Sequence, residues 1–216
     1  VDFIFRAEAE IPFAEFVNKL EKNEDYITVP NLGYKKERKK ILNKIKRYDF
    51  NEIKMPRWEL INLKEYPKQF INKKHPYAPI FTSRGCPFLC TFCSSSTMSG
   101  RKYREKDIEK VIEELKYLKN KFGIKEFHIW DENFTLNKNR VAKFCDQLIE
   151  SNLNLAWNCP NGVRIDTLDN ELLKNMKKSG CWSLCLPVEF GTQRMLDVVN
   201  MKTNLEKIKK IISLVE

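Results

Sequence analysis

Histidine is scarce in this chain: His75 and His128 are the only two among 216 residues. Nitrogen ligands for a structural zinc module are therefore in short supply. Long apolar runs are lacking, so nothing is expected to span a bilayer, and the N-terminus has no signal-peptide pattern. Without a secretory signal, the seven cysteines do not argue for a disulfide framework. In a reducing compartment they argue for a metal centre or for buried thiols, and the expected location is cytoplasmic. Internal repeats and low-complexity tracts are absent as well. The sequence lacks an initiator Met, opening at Val1 and ending at Glu216 inside a helical pattern. It is expected to be a piece of a longer protein.

What is present reads as a globular domain. The balance of 42% hydrophobic and 31% charged residues is ordinary for one, and the length allows one domain with part of another. Net charge is +10, from 39 Lys+Arg against 29 Asp+Glu. Most of the basic residues are lysines along amphipathic helices such as KDIEKVIEELKYLKNKFG. They suit a solvated face better than a nucleic-acid stripe, and no nucleic-acid partner is expected. KKERKK, residues 35–40, is read as an exposed linker.

The first residues predict a short strand (VDFIF) and an amphipathic helix, followed by a hairpin or loop at ITVPNLGY. Residues 35–78 are charged and punctuated by proline, an extended connector lying over a surface. From residue 79 the rhythm changes to strand, loop and helix, about four times over: APIFTS, KEFHIW, LAWNC and WSLCLPVEF are the strands. Helices are expected at 105–122, 138–151, 170–178, 193–199 and 205–214. Such an order signals parallel βα units, either a barrel or an open sheet. Functional groups then collect at the carboxyl ends of the strands. Cysteines follow the first strand, Asp131-Glu132-Asn133 the second, Arg164 the third and Glu189 the fourth.

The stretch after the first strand, RGCPFLCTFCSSS, places Cys86, Cys90 and Cys93 within eight residues. A structural zinc wants four ligands; Cys145, Cys159, Cys181 and Cys185 leave that reading open. An iron–sulfur cluster held by three thiolates would keep one iron free for another ligand.

TSRGCPFLCTFCSS resembles the signature of the radical SAM superfamily, C-x3-C-x2-C with an aromatic, here Phe92, before the third cysteine. The resemblance implies that Cys86, Cys90 and Cys93 ligate a 4Fe–4S cluster whose fourth iron is chelated by S-adenosylmethionine (SAM). FHIWDENFTLNKNRV is similar to the second strand and loop of the subgroup of Fe–S oxidoreductases with a cobalamin-binding domain, which includes proteins of the anaerobic magnesium-protoporphyrin IX monomethyl ester cyclase type. This implies that Asp131, Glu132 or Asn133 contacts the SAM methionine, that Arg164 meets its carboxylate, and that Glu189 lies near the ribose; Pro187 and Phe190 depart from the usual Gly and Ser there. VDFIFRAEAEIPFAEFVNKL resembles the end of a cobalamin-binding Rossmann-like domain, with Ala7 and Ala9 where Gly is usual.

The expected architecture is α/β: residues 1–34 the tail of that domain, 35–78 a linker, and 79–216 a partial (β/α) barrel, cut short at its C-terminus. The resemblance further implies reductive cleavage of SAM to a 5′-deoxyadenosyl radical. The parent protein would perform methyl transfer or oxidative cyclisation on a small organic substrate, with a flavodoxin or ferredoxin as reductant. Cobalamin is expected in the full-length parent only. Alternatives are a methylthiotransferase acting on tRNA or protein, and a non-enzymatic iron–sulfur electron carrier.

Cys181 and Cys185, about 13 Å apart on an extended strand, are read as buried thiols, Cys145 as core, and Cys159 as nearer the rim. His128 is expected to be a packed, hydrogen-bonded strand residue.

Overall fold

The computed structural model describes residues 2–215. Its N-terminal unit comprises β1 (Phe3–Phe5), α1 (Glu10–Glu21), β2 (Leu32–Lys36) and β3 (Lys39–Leu42). The three strands form an antiparallel sheet in that order, with Phe5 opposite Leu32 and Lys35 opposite Lys40. The helix lays Phe16 onto Val29 and Leu32, and the Phe16 ring sits 5.0 Å from Phe3 and 5.2 Å from Tyr26. KKERKK is thus the tip of a hairpin and not a linker. Glu37 and Arg38 take the positive φ values, 49° and 66°, that a tight two-residue hairpin turn demands. The strand β2 also runs across the expected boundary at 34/35.

From Asn43 to Pro76 the chain has only two 3-10 turns, Phe50–Glu52 and Trp58–Leu60. It nonetheless packs firmly. Trp58 is buried and donates its indole N–H to Glu114 at 3.1 Å, and Glu114 in turn pairs with Lys106 at 3.2 Å.

The rest is built on strand–helix alternation. After β4 (Tyr77–Ile80) comes a long loop whose neck is the pair of two-residue strands β5 (Ser83–Arg84) and β6 (Arg104–Glu105), with one helical turn, α2 (Ser95–Met98), between them. Then follow α3 (Ile108–Phe122), β7 (Glu126–Ile129), α4 (Lys138–Glu150), β8 (Ala156–Cys159), α5 (Asn170–Lys178), β9 (Cys181–Leu184), α6 (Gln193–Val198) and α7 (Leu205–Val215). The sheet order β4-β7-β8-β9 is sequential and every pair is parallel. This is the four-unit partial barrel that the sequence predicts.

Helix α3 buries Ile108, Val111, Ile112, Leu115 and Leu118 on its apolar face, each worth about 1.5–3 kcal/mol of burial. It ends at Gly123 in the left-handed conformation, φ 67°. The fourth strand is shorter than WSLCLPVEF suggests: β9 stops at Leu184, and residues 185–190 are irregular. Pro187 cannot donate to a ladder, and Glu189 sits at φ 59°, outside strand geometry. Alternation on β7 sends Phe127 and Ile129 into the helix-side core and Glu126 and His128 to the opposite face.

Candidate functional site

The cysteine loop leaves the sheet at the carboxyl end of β4. Asp131, at the exit of the adjacent β7, is 1% exposed. It accepts hydrogen bonds from Thr82 N, Thr82 Oγ1 and Ser83 Oγ, all at 2.6 Å. Burial pushes its carboxyl above the usual range, with these hydrogen bonds pulling the other way. Arg140 from α4 completes the junction, donating to Thr82 O at 2.9 Å and Lys106 O at 2.8 Å. Asp131 is therefore committed to the strand exit, with both carboxylate oxygens engaged by protein.

Glu132 spans the loop. One of its oxygens accepts the Gly85 N–H at 3.1 Å, and the other accepts from Ser99 Oγ. The two ends of the loop are thereby tied to one carboxylate, and the Cys86 N–H bonds to Gly100 O at 3.1 Å beside them. Gly85 has φ +88°, and a Cβ there would stand 2.2 Å from Lys102 O. Only glycine fits that close approach.

Asn133 is the third of the group and differs from its neighbours. It is 2% exposed, its Nδ2 faces Cys86 Sγ at 3.9 Å, and its Oδ1 is buried with no hydrogen-bond donor. Buried acceptors of this kind are rare in folded proteins and mark a place that a ligand can satisfy.

Of the three loop thiols, Cys86 and Cys90 are half-buried and Cys93 is exposed. Burial raises the Cys86 thiol, and the neighbouring Cys93 and Cys90 sulfurs add to the rise, against hydrogen bonds from Phe88 and Asn133. Among the described residues no three His, Cys, Asp or Glu side chains meet closely enough to hold a single metal ion. A structural zinc requires that convergence. A cubane cluster does not, because each thiolate binds a different iron.

The far side of the loop is also pinned. Thr91 N bonds to Val199 O at 3.0 Å, and Asn200 Nδ2 to Leu89 O at 3.0 Å. The Arg164 guanidinium lies 3.6 Å over the Phe88 ring, a strong cation–π arrangement. Arg164 also pairs with Asp166 at 2.9 Å and donates to Met201 O and Lys202 O. It belongs to the loop's support, with these acceptors already taken. Glu189 and Phe92 are exposed, and neither joins the cluster of contacts around Asn133.

The remaining candidates fall mostly where expected. Cys145 is in the core and its thiol is pushed by burial up to about 11. Cys159 is buried at the carboxyl end of β8, the rim end of that strand, and Cys185 is exposed where the sequence predicts a buried thiol. His128 is buried, stacked on Tyr77 with ring centroids 4.6 Å apart and 3.0 Å from Glu126 Oε1. Burial lowers its pKa.

Sequence reasoning missed Glu8, Glu10, Arg84 and Arg104, which join the N-terminal unit to the loop's neck. It also missed Ser99 and Phe88. The RAEAE stretch carries a family resemblance but does not reveal the role of Glu8 and Glu10, since the neck contacts link positions 74 and 96 residues apart.

Residues 80–215 match the family model of the radical SAM superfamily. The chain belongs to the radical SAM superfamily. An uncharacterised methyltransferase of Pyrococcus horikoshii is 33% identical over 92% of this chain and 42% of its own length. The anaerobic magnesium-protoporphyrin IX monomethyl ester cyclase of Cereibacter sphaeroides is 34% identical over 74% of this chain and 26% of its own length. This radical SAM chain thus spans less than half of either relative. Its fold is similar to that of the radical SAM methyltransferase TsrM from Kitasatospora setae, solved with cobalamin and a [4Fe-4S] cluster. That likeness has a TM-score of 0.76 at 15% identity, covering 99% of this chain and 43% of that one. The superfamily consists of enzymes for which an iron–sulfur cluster and SAM are the implied cofactors. Among the described residues no helix is long and apolar enough to cross a membrane.

Proposed function

We propose that Cys86, Cys90 and Cys93 hold a 4Fe–4S cluster, and that SAM binds the iron they leave open with its methionine end against Asn133. The observation that carries this reading is the orphan Asn133 Oδ1 beside the first cysteine. A buried carbonyl acceptor suits the SAM amino group, which would still have N–H donors to offer after giving its lone pair to iron. When bound, the cluster and SAM supply a one-electron cleavage of the sulfonium that activates an unreactive C–H bond. The protein's own part is to position and to shield. Asp131 and Arg140 fix the exit of β4, Glu132 sets the distance between the loop's two ends, and Arg164 holds Phe88 from the opposite side. Arg164, Glu189 and Phe92 remain secondary candidates for cofactor contact along the same rim.

For the longer parent protein we infer methyl transfer or oxidative cyclisation on a small organic substrate, since relatives bearing both kinds of name match this chain. With β2 and β3 carrying the N-terminal sheet across the expected 34/35 boundary, the unit through Leu42 is assigned to the tail of a cobalamin-binding domain and the chain from β4 onward to the radical SAM core, joined by 43–76. A low-potential donor such as a flavodoxin or ferredoxin would deliver the electron, and the compartment would be cytoplasmic.

Single Cys→Ala variants test the assignment. After anaerobic reconstitution, Cys86→Ala, Cys90→Ala and Cys93→Ala are each expected to lose the bulk of bound iron and the release of methionine and 5′-deoxyadenosine from SAM under dithionite. Cys181→Ala is expected to keep its iron. A Cys90→Ala protein with wild-type iron and SAM cleavage would overturn the proposal.

A further inference from the structure

The neck of the cysteine loop places two cations face to face. Arg84 and Arg104 are directly opposed across the antiparallel pair β5–β6, and like charges in that position repel. The compensating acids come from a distant part of the chain. Glu8 forms a two-pronged pair with Arg104, accepting from Nη1 at 2.8 Å and from Nη2, and lies 3.9 Å from Arg84 Nη1. Glu10 accepts from Arg84 Nη2 at 2.5 Å. The Glu8 and Arg104 side chains are 6% and 9% exposed, so the pair is shielded from water and screened little by salt. Arg104 also donates to Tyr48 O at 2.7 Å and Ser99 O at 2.9 Å, which carries the clamp into the loop itself.

The backbone is bent to deliver these acids. Ala7 has φ 58°, a left-handed conformation that costs a non-glycine residue strain. It turns the chain between the end of β1 and Glu8. Strain at that point and a buried bidentate ion pair one residue later are independent signs that the placement of Glu8 is over-determined by its surroundings.

We propose that Glu8 and Glu10 are positioning residues for the cysteine loop: the N-terminal unit, through Arg104 and Arg84, fixes the neck and so the presentation of Cys86 to its ligand. The last clause rests on the cluster-and-SAM reading above; the clamp itself does not. Three carboxylates then hold the neck, Glu132 from the barrel rim and Glu8 and Glu10 from outside the barrel. A displacement of the N-terminal unit would be transmitted directly to the cysteines.

Hydrogen exchange followed by mass spectrometry on the full chain tests this without any cofactor. Glu8→Gln, which keeps the shape and removes the charge, is expected to speed exchange of the 85–103 amides about tenfold while α4 and α5 stay unchanged. Glu8→Asp, which keeps the charge on a side chain one methylene shorter, is expected to retain part of the protection. Loop exchange equal to wild type, or acceleration confined to residues 2–42, would overturn the clamp. If Glu8→Gln unfolds globally, Glu10→Gln decides, because the Glu10 side chain is 43% exposed and tolerates the change. A few-fold acceleration in the loop supports the clamp, and none overturns it. In reconstituted protein the Glu8→Gln variant is expected to keep its iron while SAM affinity falls about tenfold. If the wild-type protein itself shows no response to SAM, the cluster-and-SAM reading fails, and the exchange data still judge the clamp.

Discussion

Asp131 and Asn133 stand two positions apart at the same strand exit and behave in opposite ways. The Asp131 oxygens are saturated by Thr82 and Ser83, whereas Asn133 Oδ1 has no donor. Asp131→Ala is expected to destabilise by about 1–3 kcal/mol, because it strands the buried Thr82 N–H. Asp131→Asn should cost less, and denaturant unfolding of the two variants separates these outcomes. Asn133→Ala is expected to leave stability and iron content near wild type and to weaken SAM binding by at least about tenfold; equilibrium binding to reconstituted protein checks it, and unchanged affinity would remove Asn133 from the site. Glu10 gives a pH dependence. Burial alone would raise its carboxyl, but the hydrogen bond and charge of Arg84 outweigh this and leave it below the usual range. A carboxylate lowered on folding contributes its stability above its unfolded pKa and loses it as pH falls through the folded value. Neck exchange, corrected for its intrinsic rate, is therefore expected to stay flat through neutral pH and to rise only in acid. Cys86, Cys90 and Cys93 were legible because their spacing is local in sequence. Glu8 and Glu10 were not, because nothing near RAEAE announces partners at Arg84 and Arg104.

The elements that sequence foretold are those with strong periodicity. Helices α3, α4 and α5 fall within a few residues of expectation because each carries an apolar stripe at helical spacing, and α3 and α5 also carry clear end signals. Asp169 caps α5 by accepting the Leu172 N–H at 2.9 Å. The elements that escaped depend on backbone states the residue types do not advertise. The hairpin β2–β3 turns at Glu37 and Arg38, where Asn or Gly would have been the visible cue. The β9 strand ended early because Pro187 and Glu189 break the ladder inside an apolar run. The neck pair β5–β6 is only two residues long on each side and owes its existence to long-range contacts. Gly85 is its most sensitive point. Gly85→Ala combines a strained φ with a 2.2 Å approach to backbone and is expected to lower stability by about 2 kcal/mol or more. A thermal melt no lower than wild type would show that the neck can open to accept the added methyl group.

On the scale of the whole molecule, the three-stranded N-terminal unit and the four-stranded parallel sheet have separate hydrophobic cores, and charged residues join them at the mouth of the cysteine loop. That junction separates the functional reading from a merely structural one: the rim gathers three thiols, an unsatisfied buried acceptor and a braced loop at the carboxyl ends of parallel strands, where a βα fold places its chemistry. The most direct test is electron paramagnetic resonance on anaerobically reconstituted, dithionite-reduced protein, recorded with and without SAM. A reduced 4Fe–4S signal that shifts when SAM is added is the expected result, since an iron left open by three cysteines changes its ligand. A cluster signal indifferent to saturating SAM, or a protein that takes up zinc and no iron, would contradict the assignment of this loop.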